Sequence, residues 1–300
     1  MQKNVYSISL GSSVRNHRAK LKLLGHDINI ERIGTDGDIK KACSLISELD
    51  GYADAFGLGG IDFYLSILGD KYRLPDAFKI AACARKTPIV DGCGVKNLVE
   101  NKIPEILINK LKIKPHETRV FFICALNRAL LAESMEKSGF KMLFGDFMSA
   151  TKLPIPVHSL KTGRIFAAMV VPFVVNLLPY SFLYPVGRDQ TERKERFTKY
   201  FKEADIIAGD FNYINRHAPS DLKGKTIIAT TVTPENIESL RERGVKCLVT
   251  TSPLIDGRSF GANVIEAAIV AAAGRKKALC PGEYLEIINK IKFEPYVEIF

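Results

Sequence analysis

The sequence predicts an α/β protein of two lobes, on three observations. Short apolar runs that end in glycine or a polar residue alternate with stretches of helical spacing. That alternation starts twice, on either side of the polar stretch "ENKIPEILINKLKIKPHET". A chain of 300 residues is also long enough to bury two such units.

In the first unit "KNVYSISLG" reads as a strand, and "DGDIKKACSLISELDG" as a helix with Asp36 or Asp38 as its cap. "ADAFGLGG" is a buried strand, "LPDAFKIAACARK" a helix, and "TPIVDGCG" a strand that breaks into a turn. The second unit begins with "RVFFICAL" as a strand, "RALLAESMEKSG" as a helix stopped by Gly139, and "KMLFGD" as a strand ending at Asp146. "TERKERFTKYFKEA" then predicts an amphipathic helix, "DIIAGD", "KTIIATT" and "VKCLVTT" strands, and "PENIESLRERG" and "NVIEAAIVAAAG" helices. The expected organisation is therefore an N-terminal parallel α/β ligand domain over 1–117 and a Rossmann-like doubly wound domain over 118–275. A C-terminal segment, 276–300, packs across the lobes.

The net charge of +10 favours acidic partners, but the basic residues are scattered, so no nucleic-acid partner is expected. The six cysteines include no CxxC pair, and no histidines stand at metal-ligand spacing, so no metal site is expected. A reducing cytoplasm follows from that cysteine usage and from the absence of a signal-like start. The apolar run Ile165–Pro185 is broken by Pro172, Asn176 and Pro179, and is read as core or interface rather than a membrane span. Assembly into a homo-oligomer is compatible with the sequence.

In open α/β sheets ligands sit at the carboxyl ends of strands, so the candidates are the polar residues and glycines found there. In "TPIVDGCGVKN", Asp91 and Lys96 suit a general acid/base pair, the lysine losing basicity if desolvated; the ordinary alternative is an exposed lysine near a turn. "GLGGID" offers Gly57, Gly59 and Gly60 for close approach of a ligand, with Asp62 displayed beside them or capping a tight turn. The turn Ala125–Arg128, followed by Asp146 about 20 residues later, has the layout of a dinucleotide half-site without its glycines. There Asn127 and Arg128 would meet phosphate and Asp146 a ribose hydroxyl; the alternative is an ordinary βαβ turn. Arg258, with Ser259 and Gly261 before the "NVIEAA" helix, suits an anion at a helix N-terminus, or a tether to loop carbonyls. His217 is the best-placed histidine, and lacks a visible orienting carboxylate.

The stretches "GTDGD", "DAFGLGGID", "TPIVDGCGVKN", "LPYSFLYPVGRDQ", "ADIIAGDFNYI" and "LVTTSPLIDGRSFGANVIEAA" together resemble the bacterial quinate/shikimate 5-dehydrogenase-like family over nearly the whole chain. The resemblance implies an N-terminal substrate domain, a C-terminal Rossmann domain and a catalytic lysine–aspartate pair, with Lys96 as the lysine. It implies an NAD(P)-dependent oxidoreductase acting on a small hydroxy or oxo acid, with NAD the expected cofactor and NADP the alternative. The chain departs from that pattern in the setting of Lys96 and in the cofactor loop. A transferase or lyase using the cleft without nicotinamide, or a non-catalytic binding protein with a degenerate Rossmann lobe, are the rival readings. In each case the partner is a small anionic or hydroxylated molecule.

Overall fold

The computed structural model describes residues 1–67, 70–125, 128–165, 167–168, 193–255 and 257–300. It shows a mixed α/β chain with two sheet-bearing lobes. The first sheet contains β1 (Gln2–Ser9), β2 (His17–Leu23), β3 (His26–Gly34), β4 (Ala55–Gly59) and β7 (Ile89–Val90), in the order β2-β3-β1-β4-β7. A small hairpin, β5 (Tyr64–Ile67) and β6 (Asp70–Arg73), stands apart from it.

The second sheet contains β8 (Arg119–Phe122), β9 (Lys141–Phe144), β10 (Ile206–Asp210), β11 (Thr226–Thr230), β12 (Cys247–Thr250) and β15 (Val297–Ile299). Its order is β15-β12-β11-β10-β8-β9, parallel throughout except for β15. The hairpin β13 (Leu254–Ile255) and β14 (Arg258–Ser259) follows β12. Each sheet buries an apolar cluster on both faces, which requires helices on both sides.

The first sheet is not wholly parallel as expected. β2 runs antiparallel to β3, through a turn in which Leu24 and Gly25 both have positive φ. Alternation of Ala19, Leu21 and Leu23 with Arg18, Lys20 and Lys22 gives that strand one apolar face. The expected helix around Thr191–Ala204 is shorter. It covers Thr198–Glu203, while Lys194 and Arg196 donate backbone N–H bonds to the carbonyls of Arg216 and His217.

The expected change of lobe near residue 117 falls earlier in space, because Ile103 and Leu107 already lie in the second lobe's core with Val120 and Phe122. Conversely, residues placed in the second lobe by sequence return to the first. The helix Ala262–Ala272 lies on β4 and β1, and every residue from Val264 to Ala272 is buried. An alanine-rich helix allows that close approach, since short side chains bring its backbone down onto the sheet. The C-terminal segment then touches both lobes. Its helix Pro281–Lys290 packs on Cys93–Glu100, and β15 closes the edge of the second sheet.

The Ile165–Pro185 stretch lies largely outside the described residues. Ala167, within it, is buried among Ile8, Leu10 and Phe56 of the first lobe. No described helix is long and apolar enough to cross a membrane.

Two glycines fix the seat of the Ala262–Ala272 helix. A Cβ on Gly57 would stand 2.5 Å from the Asn263 carbonyl oxygen, and one on Gly92, which has φ +97°, 2.4 Å from the Asn263 nitrogen. Gly57→Ala is therefore expected to destabilise the protein by about 1–3 kcal/mol through backbone overlap, read as a lower urea midpoint with unchanged slope.

The same helix buries Glu266, whose Oε1 accepts from the Tyr284 hydroxyl at 2.7 Å and Oε2 from the Gly94 N–H at 3.3 Å. Burial pushes this carboxyl up to about 7, against the opposing pull of those bonds. A raised carboxyl binds its proton more tightly folded than unfolded, so its contribution falls as pH climbs from about 4.5 to about 7. Glu266→Gln, which mimics the neutral form, should match wild type near pH 5. It should exceed wild-type stability by up to about 3 kcal/mol at pH 8, as measured by urea unfolding across that range.

Candidate functional site

The carboxyl ends of β1, β4, β10 and β11 meet at a cavity of about 140 Å³ between the lobes. Three guanidiniums line it: Arg15, Arg32 and Arg258. Arg15 sits on the turn after β1, and that turn can lie against β3 because residue 34 is glycine; a Cβ there would stand 2.5 Å from the Ser12 carbonyl oxygen. Arg15 reaches the second lobe, donating to Asn212 Oδ1 at 3.1 Å and to the Thr231 carbonyl. Arg32 donates to the Ser12 carbonyl at 3.1 Å and to Ser9 Oγ at 3.2 Å. Arg258 is held only loosely, 3.5 Å from the Arg15 carbonyl.

Neutral acceptors therefore hold all three arginines, and none has a carboxylate within ion-pair distance among the described residues. Burial lowers the pKa of each, and mutual repulsion lowers Arg15 and Arg32 further; Arg32 falls to about 10. Asp210 faces Arg15 across the cavity, while Asp36 and Glu235 act on Arg32 and Arg258 from exposed positions. The remaining wall is uncharged and mixes polar side chains with glycines, Phe260 and Val264. Asn263, whose Nδ2 donates to Ser7 Oγ at 2.9 Å, stands near the uncapped start of its helix.

Of the residues expected to bind a small ligand, Gly59, Gly60, Arg258, Ser259 and Gly261 line this cavity. Gly57 does not: its Cα faces Asn263. Asp62 also lies elsewhere, paired with Lys96 Nζ at 3.4 Å. Asp91, the expected partner of Lys96, spends its oxygens instead on the Phe63 N–H at 2.7 Å, the Cys93 N–H at 3.0 Å and the Cys93 thiol at 3.3 Å. Both side chains of the Lys96–Asp62 pair are largely buried.

Burial pulls the lysine down, but attraction to Asp62 outweighs it and holds the ammonium above its ordinary range; Asp62 is itself raised by burial. Lys96 thus keeps its proton at neutral pH, instead of losing basicity as expected. The Cys93 thiol is pushed up by burial and by Asp62 and Asp91, which keeps it from acting as a thiolate. Asp62, Asp91 and Cys93 bring three potential metal-ligand atoms within 4.8 Å of one another, yet the Lys96 ammonium already supplies the cation there.

The expected cofactor residues have structural partners. Asp146 Oδ1 accepts from the Ala125 N–H at 2.8 Å, so the acid turns back onto the loop whose amides would meet a pyrophosphate. Arg128 forms a buried ion pair with Glu100 of the Cys93–Glu100 helix. Asn127 lies outside the described residues. His217 is buried against Phe197, its Nδ1 is 3.1 Å from the Lys194 carbonyl, and burial lowers it to about 4, so it remains neutral.

Arg15, Arg32, Ser9 and Asn263 escaped the sequence reading. A signal existed for Arg15, which follows "SLGSS" at the end of a strand, the position where the other candidates were sought. Arg32 is a β-strand residue, and nothing local distinguishes it from a solvated cation.

Asp62→Asn should leave the Lys96 ammonium unpaired in its buried setting and cost about 1–3 kcal/mol. The double change Asp62→Asn/Lys96→Met should recover part of that loss in urea unfolding, whereas two independent surface charges would show no such coupling.

No curated protein matches the chain in sequence. Among solved structures it is similar to GanP, a glucose-galactose binding protein from Geobacillus stearothermophilus, at 9% identity and a TM-score of 0.42, covering 100% of this chain and 98% of that one. It is also similar to a galactofuranose binding protein (13% identity, TM-score 0.39, 97% and 98% of the two chains). The malic enzyme of Entamoeba histolytica is another such structure (11%, 0.40, 97% and 70%). Residues 4–91 match a domain of unknown function, DUF8753. Residues 94–300 match a second, DUF8754, and the chain belongs to that family.

Proposed function

We propose that the protein binds a small, anionic, hydroxylated molecule in the cavity between its lobes. The observation that supports this most directly is the group of three guanidiniums held by neutral acceptors. Desolvating a guanidinium without a counter-charge is costly, so such a group is best explained by an anion that arrives with the ligand. The neutral lining suits hydroxyls, through Asn212, Asn263, Ser9 and Thr233. The size supports a small ligand. A cavity of roughly 150 Å³ takes a molecule the size of benzene, so about 140 Å³ accommodates a small acid.

A second reading, a quinate/shikimate dehydrogenase-like oxidoreductase using NAD, is favoured by the buried Lys96–Asp62 pair at the cleft side of the first lobe. In that reading Lys96 donates a proton to, or orients, a substrate oxygen, Asp62 holds the ammonium in place, and the Rossmann-like lobe carries the nicotinamide. Bound NAD would supply or accept hydride. The Asp146 bond to Ala125 would have to yield for the acid to reach a ribose.

A panel of small hydroxy and oxo acids, followed by melting temperature and calorimetry, separates these readings when run with and without NADH or NADPH. Saturable binding of an acid alone, weakened at least about tenfold by Arg32→Gln, is the expected result. Micromolar binding of NADH that weakens in Asp146→Ala, with both proteins folded, would favour the oxidoreductase. Failure of every acid to bind, and of every phosphorylated hydroxy compound added to the panel, would overturn the cleft reading.

A further inference from the structure

Resting on the cleft reading above, we propose that the anion recognised there is a phosphoryl group, free or carried on a small phosphomonoester, rather than a single carboxylate. Three features of the lining point to this chemistry. The first is charge. Three guanidiniums face one carboxylate, Asp210, in the cavity wall, which leaves two positive charges to be matched, and a phosphomonoester above its second ionisation carries about two negative ones.

The second is convergence. Arg15, Arg32 and Arg258 line one cavity of about 140 Å³, and the Arg258 guanidinium lies 3.5 Å from the Arg15 carbonyl, so the three converge on a single small space. A lone carboxylate presents two oxygens and is satisfied by one guanidinium fork. A phosphoryl group presents three terminal oxygens and suits three forks arriving from different directions.

The third is the origin of the donors. Arg15 stands on the turn after β1, Arg32 on β3, and Arg258 on the β13–β14 hairpin between the second lobe and the Ala262–Ala272 helix. At the same wall Gly261 and Asn263 present the uncapped helix start, whose dipole favours a dianion over a monoanion. The volume of about 140 Å³ exceeds what a phosphate group fills and leaves room for only a few further atoms. The part of the carrier held in the cavity is therefore a short hydroxylated piece.

The test uses the full chain at fixed ionic strength, titrated by calorimetry with inorganic phosphate, glycerol phosphate, malonate and acetate. Phosphate or glycerol phosphate should bind at least about tenfold more tightly than malonate or acetate. Tighter glycerol phosphate identifies a carried group, and tighter phosphate a free one. Arg258→Gln, on the half-exposed hairpin, and Arg32→Gln should each lower that affinity at least about tenfold. Arg241→Gln, which removes an outer-surface charge paired with Glu238, should leave it unchanged.

Preference for malonate would overturn the phosphoryl assignment in favour of a dicarboxylate while leaving the anion cleft intact. So would equal binding of acetate, in favour of a simple carboxylate. Absence of binding by all four overturns the phosphoryl assignment. In that case hydroxy acids from the earlier panel that still bind through Arg32 show that the cleft itself stands.

Discussion

The structure depends on the seating of one residue, Asn263. Gly57 and Gly92 are pressed against its backbone, and Gly59 and Gly261 against its side-chain amide. The amide donates to Ser7 of β1. This contact lets the chain leave the second lobe after β12 and lay a helix, buried from Val264 to Ala272, on the first sheet. Arg258, Ser259 and Gly261 are carried to the mouth of the first sheet by the same route. Were any of these glycines replaced by a larger residue, the helix start would have to lift, and the cavity wall with it. The glycines that looked like ligand loops are thus divided in purpose. Gly57 and Gly92 serve packing, while Gly59, Gly60 and Gly261 serve packing and also border the cavity.

The electrostatics of the cleft sort its ionisable groups by whether the fold already satisfies them. Asp91, Asp146 and Glu100 accept bonds from backbone amides or from a buried cation, and Lys96 has Asp62. These groups bind the lobes and loops together. The arginines at the cavity are different, because a carbonyl or hydroxyl oxygen satisfies a donor without cancelling its charge. Position at a strand end singled out Asp91 and Asp146 in the sequence just as it did Arg258. Only the identity of the partner separates a structural charge from one kept for a ligand.

That distinction explains how much of the protein was legible. The second sheet's strands could be read because apolar runs such as "DIIAGD" and "KTIIATT" are buried on both faces, which leaves an unbroken signal. β2 was missed because half of it is solvated, and its Leu24–Gly25 turn lacks the asparagine or aspartate that usually marks such a hairpin. Arg258 was visible because flanking glycines announce a special backbone. Arg32 was not, since its role comes from β3 lying beside β1, and strand order is invisible in the sequence. The change of partner for Lys96, from Asp91 to Asp62, has the same cause. The turn at Gly92 directs Asp91 toward amides, a matter of local backbone that residue types do not record.

The placement of Asp146 bears on how the second lobe should be understood. In a dinucleotide half-site the acid at the second strand's end and the amides of the first turn serve different parts of the ligand, and both must remain available. Here the acid at the end of β9 and the amide after β8 serve each other at 2.8 Å. A carboxylate on that amide does locally what a phosphate would do, since it brings a negative charge to the N–H groups preceding the Ala129–Lys137 helix. The lobe therefore keeps a parallel layer of five strands while meeting its own turn with its own acid. Across the cleft, the arginines of the first lobe and the hairpin outnumber the one carboxylate of their cavity wall, Asp210, and none of them forms an ion pair among the described residues.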